Sequence, residues 1–137
     1  KFYLLENDIS TFENYENVQF AFKKKDKEFI IYGLTGTIFY EKNINKCLSK
    51  KNEIENELNS IFKGSEIKYY GEWVRKDDPS GKSKQLAQTQ YLLKNGIVSI
   101  ECMDWSKKFT KKYGYTDNLS ISILSKEYEN FVKYEAF

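Results

Sequence analysis

The chain has 137 residues, of which 22 are Lys or Arg and 20 are Asp or Glu, with no His, two Cys and a formal charge of +2. That length suits one domain able to bury a core without metal or disulfide support, and a composition 40% hydrophobic and 17% aromatic is too apolar for a disordered chain. The missing His removes Ser-His-Asp triads, zincins and most zinc sites, and the near-neutral charge supplies no bulk attraction to nucleic acid.

Residues 1–16 mix Glu6, Asp8, Glu13 and Glu16 with Phe2, Tyr3, Leu4, Leu5, Phe12 and Tyr15. They read as a short helix or an irregular arm. Val18, Phe20 and Phe22 then alternate with Gln19, Ala21 and Lys23, and a second β-branched and aromatic run covers Phe29–Tyr40. Setting Lys23 opposite Glu28 pairs Phe22 with Phe29 and Phe20 with Ile31, which predicts a hairpin.

Ile44–Phe62 is the clearest helix. Asn43 is placed to cap its start and Gly64 to end it. Ile44, Cys47, Leu48, Ile54, Leu58, Ile61 and Phe62 form one stripe, with Lys51 in its only polar slot.

Beyond it, Ile67, Tyr69, Gly71, Trp73 and Arg75 alternate with Lys68, Tyr70, Glu72 and Val74 as a strand. The stretch 77–83 holds the only Pro and reads as a long flexible loop. Its Ser80-Gly81-Lys82-Ser83 resembles the tail of a phosphate-binding loop, but Lys76 stands where the motif needs Gly and strands flank it on both sides. Leu86–Lys94 and Ile97–Asp104 flank Asn95-Gly96, the signature of a hairpin with a type I′ turn. That turn would set Leu93 opposite Val98, Tyr91 opposite Ile100 and Thr89 opposite Cys102, all on one apolar face. The other face, with Gln88, Gln90, Ser99 and Glu101, is wetter.

Ser106–Gly114 reads as a helical turn or basic loop. Leu119, Ile121 and Ile123 alternate with Ser120 and Ser122 as a last strand, and Ser125 starts a terminal helix that docks through Tyr128, Phe131 and Val132. The order predicts a single α+β domain over 1–137, with five or six strands in a mostly antiparallel sheet, one long helix on a face and a C-terminal helix.

Cys47 on the helix stripe and Cys102 on the apolar hairpin face both point to the helix–sheet interface, so they are expected to form a disulfide. That bond implies an oxidising compartment, periplasmic or extracellular, and a chain beginning at Lys1 reads as a mature form after signal cleavage. A redox role for the pair is the weaker alternative, because there is no C-x-x-C and both thiols face inward.

Tyr69, Trp73 and Arg75 share a strand face and form a candidate partner-binding strip, an aromatic and cationic surface able to stack a flat group, and Trp105 beside Asp104 is a further candidate of the same kind. The competing and favoured reading puts Tyr69 and Trp73 in the core under a helix. Lys107, Lys108, Lys111 and Lys112, with no acid between Ser106 and Thr116, form a candidate anion-binding face or simply a solvated lysine face. Carboxylates are plentiful, but only Glu101 and Asp104 lie in a strand near an aromatic side chain, and no acid/base dyad stands out. No cofactor or metal is implied, and no run reaches the about 18 apolar residues of a membrane span.

The reading that follows is a small exported binding protein without catalysis, such as an inhibitor, an immunity-type protein or an envelope accessory factor, acting on another protein or an envelope component. The alternatives are an intracellular module that binds nucleic acid or an acidic partner through its lysines, and a thiol oxidoreductase.

Overall fold

A computed structural model describes residues 2–7 and 14–136. The elements in chain order are β1 (Phe2–Asn7), β2 (Asn17–Lys23), β3 (Ile31–Phe39), α1 (Ile44–Ile61), β4 (Glu66–Tyr69), β5 (Trp73–Val74), β6 (Lys84–Leu93), β7 (Gly96–Asp104), α2 (Lys107–Tyr113), β8 (Asn118–Ser125) and α3 (Lys126–Tyr134). The fold is α+β. The strands form one antiparallel sheet of eight, ordered β1-β2-β3-β8-β7-β6-β4, with β5 also paired to β6. The strand made last in the chain thus closes the middle of the sheet, between β3 and β7.

Two strands more than expected come from identifiable places. Phe2–Asn7, read as a helix or arm, is an edge strand on β2, because its apolar residues satisfy their backbone by pairing; residues 8–13 of that reading lie outside the described residues. The single strand expected through Tyr69, Trp73 and Arg75 is two short ones, since the chain leaves the ladder at 70–72.

α1 lies on one face. Asn43 Oδ1 accepts from Lys46 N at 3.2 Å, and the cap falls at Phe62, with Gly64 following at φ +93°. Cys47, Ile100, Cys102 and Leu119 form the fully buried centre, surrounded by Ile44, Leu48, Ile54 and Leu58 from the helix and Ile38, Leu86 and Ile121 from the sheet. Ile61 drops off the stripe and is exposed. Lys51 is buried, and its Nζ donates to Glu55 Oε2 at 2.6 Å and to Thr89 Oγ1 at 3.0 Å. Thr89 in turn donates to Glu55 Oε1 at 2.6 Å. The polar slot of the stripe is therefore filled by a closed ring of hydrogen bonds, which is what lets a charge sit there.

Both hairpin registers differ from the expected ones. Phe22 faces Ile31 and Phe20 faces Leu34, with a slip between Ala21 and Phe22. The reason is Asp26, whose carboxylate accepts from Glu28 N and Ile30 N and folds 26–30 into the turn, leaving Phe29 exposed at φ +52°. In the second hairpin Leu93 faces Gly96 and Tyr91 faces Val98, so the turn is Lys94–Asn95 and no residue in it has a positive φ. Gly96 is required by proximity: a Cβ there would stand 2.4 Å from Leu124 O of β8. From Thr89 to Leu93 the register has slipped by two, so those side chains stay on their expected face, whereas the shift between Leu86 and Thr89 reverses the facing of Lys84–Leu86.

Candidate functional site

The sheet face opposite α1 is assembled by register. Thr35, Ser122, Ser99, Gln90 and Lys68 lie side by side across β3, β8, β7, β6 and β4, and Thr37, Ser120 and Glu101 form the next row. Thr35 Oγ1 and Ser122 Oγ are hydrogen-bonded at 2.9 Å. One end of this face is closed by α3, which Ser125 caps through its Oγ. Tyr128 sits so close over Gly33 that a Cβ there would meet its ring at 2.7 Å, and Phe2 packs on Tyr128 and Phe131 with centroids 4.9 and 5.1 Å away. Beyond α3 the polar rows are half-buried, with Lys68 exposed at their edge, and among the described residues no other helix makes extensive contact with them.

At the far end Glu101 is gripped by two glutamines. A slip in the β6–β7 ladder between Leu86 and Thr89, with Ala87 at φ +50°, puts two β6 residues where one belongs. Gln85 and Gln88, three apart and otherwise on opposite faces, both donate through Nε2 to Glu101 Oε2. Burial pushes the Glu101 carboxyl up to about 7, against the pull of the Gln88 amide and the Arg75 charge.

Trp73 faces Gln85 across the β5–β6 pair and so belongs to this same face, half-exposed at 48%. Arg75 follows it. Its guanidinium makes a bidentate pair with Asp77, at 2.8 and 2.6 Å, and lies 5.5 Å from the Trp105 ring centroid. The other side of Trp105 stacks on Phe109, rings near parallel at 5.2 Å, with Tyr115 at 4.9 Å. Trp105 Nε1 is buried with no acceptor among the described residues.

Of the four candidate residues, the structure sets Arg75 against Trp105, keeps Trp73 beside Arg75, and separates Tyr69. Tyr69 faces Thr89 on the α1 side, where it is 67% exposed. The break at 70–72 and the bulge at Ala87 change the parity between them. The core reading of Tyr69 and Trp73 does not hold, because α1 ends its cover over β6 and β7 and leaves β4 and β5 as the bare edge. Glu101 and Gln88 are legible on the wetter face; Gln85 is not, since nothing local signals a bulge at an Ala.

The 77–83 loop, read as flexible, is pinned. Asp78 is buried, and its carboxylate accepts from Ser80 N and Oγ, Ser83 N and Oγ, and Ser106 Oγ, the last at 2.8 Å. The Ser83 hydroxyl heads the donors that hold the Asp78 carboxyl far below the usual carboxylate range. Ser106 also caps α2 by accepting from Phe109 N. Asp78→Ala will therefore leave buried hydroxyls and amides unpaired, lower the urea midpoint and speed tryptic cleavage after Lys82; an unchanged cleavage rate would show that the turn holds without its carboxylate.

Lys107, Lys108, Lys111 and Lys112 are all exposed on α2, the first pair in its first turn and the second in its last. Cys47 and Cys102 are bonded, with Cα atoms 6.1 Å apart and both residues at 0% exposure. A thiol pair sealed this way lacks the access that exchange chemistry needs. Among the described residues no group of three or more His, Cys, Asp or Glu is placed to hold a metal ion, and no helix is long and apolar enough to cross a membrane. Compared with protein-family models, curated proteins and solved structures, the chain matches none.

Proposed function

We propose that the protein is a small exported binding protein without catalysis of its own, whose partner lies across the polar sheet face. The observation that carries this reading is the half-exposed Trp73, beside Gln85 and next to the Arg75 that lies on Trp105, at the end of rows of Ser, Thr and Gln away from α3. Amides and hydroxyls both donate and accept, and an indole offers a flat apolar surface, so the face suits a polyhydroxylated partner such as an envelope glycan. The buried disulfide supports an oxidising compartment.

Titrating Trp fluorescence against a panel of soluble neutral oligosaccharides tests the reading. Binding is expected in the wild type and a loss of roughly tenfold to thirtyfold in Trp73→Ala, the range of an aromatic anchor. A panel that binds nothing, or a Trp73→Ala variant that binds as well as the wild type, would remove this face from the proposal. Two free thiols in unreduced protein from its native compartment would remove export.

A further inference from the structure

We infer a second site, for a phosphate monoester, in a cavity of about 530 Å³ lined by Ser80, Lys82, Asp104, Trp105, Ser106, Lys107 and Lys108. It does not rest on the sheet-face reading.

Three lysines from two distant segments meet there because the Asp78 carboxylate ties Ser80 and Ser83, on either side of Lys82, to Ser106, which precedes Lys107. The arrangement is held by bonds that none of the lysines makes. Among the described residues Lys82, Lys107 and Lys108 have no ion-pair partner, as is true of Lys111, Lys112 and most other surface lysines; what sets these three apart is that they line one cavity. Three unpaired cations around one cavity are completed by a compact dianion.

The donor set points to a tetrahedral oxyanion. Ammonium groups act as point charges and bind phosphate in that way, whereas bidentate recognition of carboxylate or phosphate uses the planar fork of Arg. The one arginine is already spent on Asp77. Asp104 lines the same wall and is an acceptor for a hydroxyl, such as the sugar or glycerol part of a phosphate monoester carries. Lys111 and Lys112 do not line the cavity, so the four-lysine face read from the sequence divides: two of its members belong to the site, joined by Lys82, and two do not.

The test is amide chemical-shift titration of the disulfide-bonded protein at low ionic strength with inorganic phosphate, then glycerol 3-phosphate, then vesicles with and without phosphatidic acid. Saturable shifts at residues 80–82 and 104–108 are expected, with roughly tenfold weaker binding in Lys82→Gln/Lys107→Gln and no change in Lys111→Gln/Lys112→Gln. Glycerol 3-phosphate binding tighter than inorganic phosphate supports a soluble ester, and preference for the acidic vesicles supports a lipid headgroup; both keep the site. Absence of saturable phosphate binding, or equal losses in the two double variants, overturns it in favour of a diffuse lysine surface.

Discussion

Replacing Cys47 and Cys102 together with Ala will cost the protein about 4 kcal/mol of stability, the chain-entropy value for a cross-link spanning 55 residues. For a domain of this length that is a fall in the thermal midpoint of roughly 10–20 °C. Both residues are at 0% exposure, in the cluster with Ile100 and Leu119, so the loss of packing adds to the loss of the link. The same burial predicts that reductant alone acts slowly and that reduction becomes fast once denaturant opens the helix–sheet interface. Urea titrations of the wild type and the double variant, with and without reductant, measure both effects. A double variant as stable as the oxidised wild type would show that α1 is held by its apolar stripe alone.

The second large effect is a dependence on pH traced to Glu101. Its carboxyl titrates at about 7 in the folded protein, against 4.5 for the free group, chiefly because burial disfavours the charge. Between those values the folded state keeps a proton that the unfolded state has released, so stability is full below pH about 4.5 and falls as pH rises towards 7. At about 1.4 kcal/mol per pH unit the interval is worth about 3 kcal/mol. Glu101→Gln keeps the shape and removes the titration. It is therefore expected to flatten the stability profile between pH 5 and 8 and to be the more stable protein at pH 8. Parallel profiles for wild type and variant would show that Gln85, Gln88 and Arg75 already compensate the charge. Asp78 works in the opposite sense: its depressed carboxyl adds stability above the ordinary Asp range and loses it on acidification.

Glu101 also shows where reading along the chain stops. Its place on the wetter hairpin face follows from strict alternation between Cys102 and Ile100, which any single strand reveals. So does the facing of Gln88, but Gln85 joins them only because the ladder slips at Ala87, a residue with no turn or bulge signature. Trp73 and Arg75 were placed on one face with Tyr69 by counting alternate residues, and the count fails across 70–72, where the backbone leaves β6.

What local pattern determined here is element type and facing: α1 with its Asn43 cap, α3 with its Ser125 cap, the apolar side of β7, β8 and the later part of β6, and the meeting of Cys47 with Cys102. These depend on periods of 3.6 and 2 and on side chains bonding to their own backbone, all within a few residues. Register and neighbourhood belong to the tertiary structure. A slip of two residues preserves every facing, so the pattern cannot see it. Nothing near β8 says that it will lie between β3 and β7. That placement lays Ser120 and Ser122 beside Thr35, Thr37, Ser99 and Glu101, and the Asp78 bonds bring Lys82 to Lys107, so both candidate sites come from residues that meet only after the chain has folded.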